Sequence, residues 1–192
     1  MSEGGFHVHG PHDHELEHAT RHGVADSFTG RIAVTTALLA TVGALFSYQG
    51  GATQANAGMA KNNAAIKKTE AANQWNYYQA KSGKQNLAEL GLELAPGNRR
   101  DYYTQAIERY KEEKAGIKKT AETFETESKE WDKHSDEQMH LHHRWAQATT
   151  ALQIAIALSA IALLTRRKWL QWGVYGLSAF GIALGILALV HL

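Results

Sequence analysis

Residues 32–48 read IAVTTALLATVGALFSY, seventeen residues without a charge, and Gln49, Gly50 and Gly51 extend the uncharged run to residue 51. A helix of about 20 residues crosses the hydrocarbon layer of a bilayer, so residues 32–51 read as a first transmembrane helix. Two later stretches read the same way. Residues 146–164 (AQATTALQIAIALSAIALL) and 169–192 (WLQWGVYGLSAFGIALGILALVHL) contain no Asp, Glu, Lys or Arg. A soluble helix of that length carries a polar stripe on the side turned to water, and these three do not, which argues against a buried soluble core. A cleaved leader is the other reading of the first run, with Ala55-Asn56-Ala57 as a small-x-small site. The 31 residues before it are His-rich and acidic instead of short and basic, so the run is read as an anchor.

The chain has 192 residues, with 20 Lys and Arg against 19 Asp and Glu, a net charge of +1 that points away from nucleic acid as a partner. It has no Cys, which excludes disulfides, thiolate metal sites and thiol catalysis. Between spans two and three lies the turn 165–168, Thr165-Arg166-Arg167-Lys168. Its cations set the topology by the positive-inside rule: the turn and the tail 1–31 lie in the cytoplasm, and residues 52–145 lie outside. The expected location is a membrane that the chain crosses three times, with the lipid bilayer as the first partner.

Residues 52–145 are polar and are broken once, at Ala95-Pro96-Gly97-Asn98-Arg99, where proline and glycine stop a helix and turn the chain. Two arms of equal length flank this turn at 95–99. Steps of seven along the first give Leu38, Leu45, Ala52, Met59, Ile66, Asn73, Ala80, Leu87 and Leu94. Alternating steps of four and three along the second run through Tyr103, Ile107, Tyr110, Lys114, Ile117, Ala121, Phe124, Ser128, Trp131, Ser135, Gln138, His142 and Trp145. The expected fold is therefore all-α and integral to the membrane: three transmembrane helices, with a long antiparallel coiled-coil hairpin between spans one and two.

Folding about Gly97 puts residues whose numbers sum to about 193 or 194 opposite each other. Gly83 then meets Tyr110, Thr69 meets Phe124, Asn62 meets Trp131, Ala80 meets Lys114 and Leu87 meets Ile107, mostly large against small. Asn62, Thr69, Asn73, Asn76 and Gly83 make this a poor seam for a lone pair of helices, which points to a homo-oligomer or a further protein partner.

Three groups of residues are candidates for function. Trp75, Tyr77, Tyr78 and Lys81 form an aromatic and cationic face, suited to recognition, with packing against the other arm as the simpler reading. Gln153, Gly181 and Gly185, with Gly173 and the stripe Ala33, Ala37, Ala40 and Ala44, suit close packing of spans. Arg166, Arg167 and Lys168 fix topology. Two histidine groups have metal-like spacing, His14, His18 and His22 in the tail, and Asp132, Asp136, His140 and His143 before the second span. A divalent transition metal is the sole cofactor they suggest, against a solvated tail and a membrane-edge belt with Trp145. No nucleophile stands with a base and no glycine-rich phosphate loop is present, so no enzyme activity is expected.

Residues 73–82 (NQWNYYQAKS), 152–158 (LQIAIAL) and 163–169 (LLTRRKW) resemble a bacterial membrane family catalogued as domain of unknown function 4337. The resemblance runs from about Arg31 onward. It implies the arrangement of span, polar helical hairpin and two spans joined by a basic turn, and it implies no activity. The function expected from the residues is a membrane-anchored scaffold or interaction protein that self-associates. Two alternatives are a metal- or pH-responsive accessory of a transport system, and an oligomeric channel lined by Thr35, Thr36, Thr41, Gln147 and Gln153.

Overall fold

A computed structural model describes residues 27–190 of the chain. Among these residues there are three helices and no strand: α1 (Ser27–Leu94), α2 (Arg100–Thr165) and α3 (Lys168–Leu189), with a 3-10 turn at Gly97–Arg99. All three are long and apolar enough to cross a membrane. Helix α1 persists for 68 residues because no proline occurs within it. It stops before Pro96, whose carbonyl accepts a hydrogen bond from the Arg99 N–H at 2.9 Å. The Arg100 guanidinium reaches back to the Leu92 carbonyl at 3.1 Å and satisfies one of the orphan acceptors at the end of α1. Helices α2 and α3 are separated by Arg166 and Arg167 alone, since Thr165 and Lys168 are already helical. The break is made by Arg166, whose φ of 52° is left-handed.

Contacts divide the chain into two units, one of residues 50–143 and one of the remaining described residues. In the first, the two arms run in opposite directions, with Arg100 on Leu92, Lys81 on Glu113, Ser128 on Ala64 and Ser135 on Ala57. The level of these contacts is within two of the sum expected from the turn, and the α2 line is the expected one except at Trp131: Ile107, Ile117, Ala121 and Ser135 are buried on it, while Trp131 is 38% exposed and does not face Asn62, itself exposed, across a seam.

The α1 line differs. Met59, Ile66, Leu87 and Leu94 are 61%, 47%, 69% and 77% exposed, and the residues that pack against α2 are Ala57, Ala60, Ala64, Ala71 and Ala88. Helix α1 is turned so that these alanines, not the large residues of the expected line, meet α2. The α2 line carries Tyr103, Tyr110 and Phe124, and close packing needs short side chains opposite them. Several expected pairs fall with that rotation. Nothing lies within 4 Å of a Cβ built at Gly83, whereas one built at Gly91 would stand 2.5 Å from Tyr103 Cε1. Phe124 lies under Lys67 and not Thr69, and Lys114 lies over Tyr78 and not Ala80.

The other unit is a three-helix bundle. Leu39, Leu152, Ala155 and Val174 form one buried cluster, and Ile32, Ala162 and Leu170 another. Thr36 and the fully buried Ser159 share a hydrogen bond of 2.7 Å between α1 and α2. Helix α3 approaches through glycine: a Cβ at Gly181 would come within 2.9 Å of Leu152 Cδ2, and one at Gly185 would fall on the Phe46 ring. The Phe46 ring also packs on buried Trp145, centroids 5.2 Å apart.

Candidate functional site

The aromatic and cationic group at mid-arm is brought together by the hairpin. Trp75 Nε1 donates to Glu125 Oε1 of α2 at 2.8 Å, and its ring meets Tyr78 edge to face at 5.7 Å. Lys81 Nζ sits 2.5 Å from Glu113 Oε2 and 5.2 and 5.7 Å from the ring centroids of Tyr77 and Tyr110. From the other side Lys114 covers Tyr78 at 5.2 Å, and Arg109 covers Tyr110 at 5.0 Å. The Glu113 carboxylate, helped by Tyr77, holds Lys81 above the ordinary lysine range. Lys81 in turn draws Glu113 below the ordinary carboxylate value. These side chains are engaged between the arms, with Tyr77 half-exposed. Chemically the cluster is a clamp of charge-assisted hydrogen bonds and cation–π contacts with no free nucleophile.

Below it lies a groove of about 710 Å³. Ala64, Ala65, Ala71 and Ala72 line it with Ser128, and the Lys61–Asp132 ion pair and the Trp75–Glu125 bond border it. The groove exists because alanines on α1 leave room that longer side chains would fill.

The lower hairpin holds residues that sequence reasoning placed on the seam without recognising their role. Ser128 donates to the Ala64 carbonyl at 2.9 Å and Ser135 to the Ala57 carbonyl at 2.9 Å. His142 Nδ1 donates to the Gly50 carbonyl at 2.8 Å. Both sets step by seven residues. Each rung reaches the backbone oxygen of an Ala or Gly on α1, where a short or absent side chain lets the arms come close. The signal was available as Ser, Ser and His at a seven-residue repeat facing Ala, Ala and Gly, but a search for large apolar residues passes over it.

The remaining candidates are placed as follows. Gln153 is exposed, with its Nε2 3.7 Å from a Cβ built at Gly43. Gly181 and Gly185 are buried against α2 and α1 within the bundle, while Ala33, Ala37, Ala40 and Ala44 point outward. Arg166, Arg167 and Lys168 are exposed at the α2–α3 turn. Asp132 is taken up by Lys61, and among the described residues no three His, Asp or Glu side chains gather where a metal ion could be held. Asp136, His140 and His143 are therefore not brought together as a ligand set. His14, His18 and His22 lie outside the described residues.

The architecture defines an all-helical protein with three helices of membrane-crossing length and a charged helical hairpin. The chain belongs to the family described as Domain of unknown function (DUF4337), which matches residues 28–191. Neither the curated proteins nor the solved structures contain a match to it.

Proposed function

We propose that the chain is a membrane-anchored helical-hairpin scaffold that self-associates, with a structural instead of a catalytic role. The observation that carries this reading is the outer surface of the three-helix unit. Val34, Leu38, Leu45, Ile154, Ile161 and Phe180 are between 49% and 62% exposed there, a density of outward large apolar groups that water does not tolerate and lipid does. The hairpin unit is of the opposite character, with Lys61, Lys67, Lys81, Lys111 and Lys118 all in ion pairs. On this reading the hairpin is an antiparallel coiled coil outside an inner membrane, the cationic turn at Arg166 to Lys168 faces the cytoplasm, and the hairpin is the part a partner meets.

Native mass spectrometry of the full chain in detergent tests self-association: assemblies of defined copy number are expected, and a monomer at every concentration overturns it. Cysteine accessibility in intact cells, with one cysteine at Gly97→Cys and one at Lys168→Cys, tests topology. Labelling of the first and protection of the second are expected.

A further inference from the structure

The rotation of α1 leaves a second heptad line unpartnered. Every seventh residue from 52 to 94, and the residue three positions after each from 55 to 90, points away from the seam with α2; all are exposed except Ala52, which is half-buried. None of these thirteen positions carries a charge, although eight Lys and Glu lie at other positions of the same 43 residues. On a solvated helix face charges would fall here as often as elsewhere. Met59, Ile66, Leu87, Leu90 and Leu94 are 61%, 47%, 69%, 52% and 77% exposed on this line.

We propose that this face of α1 is the seam of a parallel, in-register coiled coil with the same face of a second copy of the chain. The proposal deepens the scaffold reading and rests on it. A strict seven-residue spacing of core positions is what a partner helix of the same repeat requires, and an identical α1 supplies it. Copies held in one bilayer by the apolar start of α1 run the same way, so the pair is parallel. Asn62, Thr69, Asn73 and Asn76, which with Gly83 suit the seam between the two arms of one chain poorly, then meet their own counterparts, and paired asparagines inside such a seam select register at some cost in stability. Charge permits the pairing. In a parallel coil each flanking residue faces the one five positions further along its partner, which sets Gln79 against Lys84 and Ala65 against Glu70. No such pair along the seam places like charges together. The contact is also long enough: about 63 Å of helix with a strip roughly 10 Å wide covers about 1,300 Å² over both copies, within the range of stable interfaces.

The chain has no cysteine, so single cysteines report cleanly on this face. Full-length protein in detergent or liposomes would carry one cysteine at each position in turn, from Asn62→Cys to Lys68→Cys, and be oxidised. A disulfide-linked dimer is expected to peak at 62 and 66 and to be at least tenfold weaker at 64 and 68. An even ladder of dimer across all positions, a maximum at 64 or 68, or linkage of position 66 to another protein overturns the proposal. As a second arm, the Ile66→Glu, Leu87→Glu double variant is expected to weaken self-association at least tenfold with its helix content unchanged, since both side chains are exposed in the single chain. If native mass spectrometry shows the same assemblies for this variant, association runs through another surface: the seam proposal falls and the scaffold reading stands. If the unaltered chain is monomeric throughout, both fall.

Discussion

The two arms of the hairpin divide the work of packing unequally. Facing α1, helix α2 presents Ile107, Ile117 and the rings of Tyr103, Tyr110 and Phe124. Facing α2, helix α1 presents five buried alanines, Ala57, Ala60, Ala64, Ala71 and Ala88. One arm supplies volume and the other supplies closeness. The difference shows why the largest apolar residues of a helix do not always mark its buried side: a partner that is already bulky selects small residues, and the large ones of α1 are left for another surface.

That asymmetry can be broken most strongly where volume is supplied. Ile117→Ala on α2 is expected to destabilise the hairpin by about 2–4 kcal/mol, because a buried side chain is lost and a cavity remains. Leu87→Ala on α1 is expected to change stability by no more than about 0.5 kcal/mol, as for other exposed positions. Thermal melts followed by circular dichroism, in detergent dilute enough to keep copies apart, make the comparison. Equal losses would mean that α1 is not rotated as described. The reverse change tests closeness. Ala57→Leu inserts bulk where Ser135 reaches a carbonyl, and is expected to cost about 1–3 kcal/mol by overpacking, measured in the same melts.

Glycines sharpen the contrast within one arm. Gly91→Ala would thrust a methyl against the Tyr103 ring and is expected to lower the melting temperature. Gly83→Ala meets open space and is expected to raise stability by about 1 kcal/mol, the usual gain of alanine over glycine in a helix.

The smallest expected effect is electrostatic. Glu113 is held below its ordinary value by Lys81, so its contribution is present above the carboxylate range of an unfolded chain, about 4.3, and is lost as pH falls through the lower folded value. Lys81 is held above its ordinary value, so its contribution is present below about 10.4 and is lost as pH rises through the higher folded value. Both groups are partly open to water and the effect is modest. Glu113→Gln is expected to flatten the acid side of a melting-temperature profile, and an unchanged profile would show that the pair contributes nothing there.

Much of this fold was legible in the sequence. The length of residues 32–51, 146–164 and 169–192, the Pro96-Gly97 break and the four-three rhythm from Tyr103 to Trp145 fixed the helices, the turn and the face of α2, because each depends on local chemistry or on a repeat in one helix. The face of α1 was not legible by ranking residues for size. Two seven-residue lines run along that helix, one through Ala57, Ala64, Ala71 and Tyr78 and one through Met59, Ile66, Leu87 and Leu94, and only the partner's bulk decides which is buried. The mid-arm cluster was legible as Trp75, Tyr77, Tyr78 and Lys81, but its α2 half, Arg109, Glu113, Lys114 and Glu125, lies in an ordinary run of charges. Sequence spacing within one helix carries no mark of which charges will cross to the other.

The rungs at Ser128, Ser135 and His142 have a mechanical corollary. Because donors and acceptors share one period, sliding α2 by a single heptad would set Ser128 on Ala57 and Ser135 on Gly50, so two of three rungs would form again. The ladder is thus a ratchet with nearly equivalent notches, and uniqueness comes from the end stop: Arg99 bonded to Pro96, and Arg100 hooked on Leu92, leave no slack for a slide. A chain with seven flexible residues inserted after Pro96 would have that slack, and its two arms could settle in more than one notch.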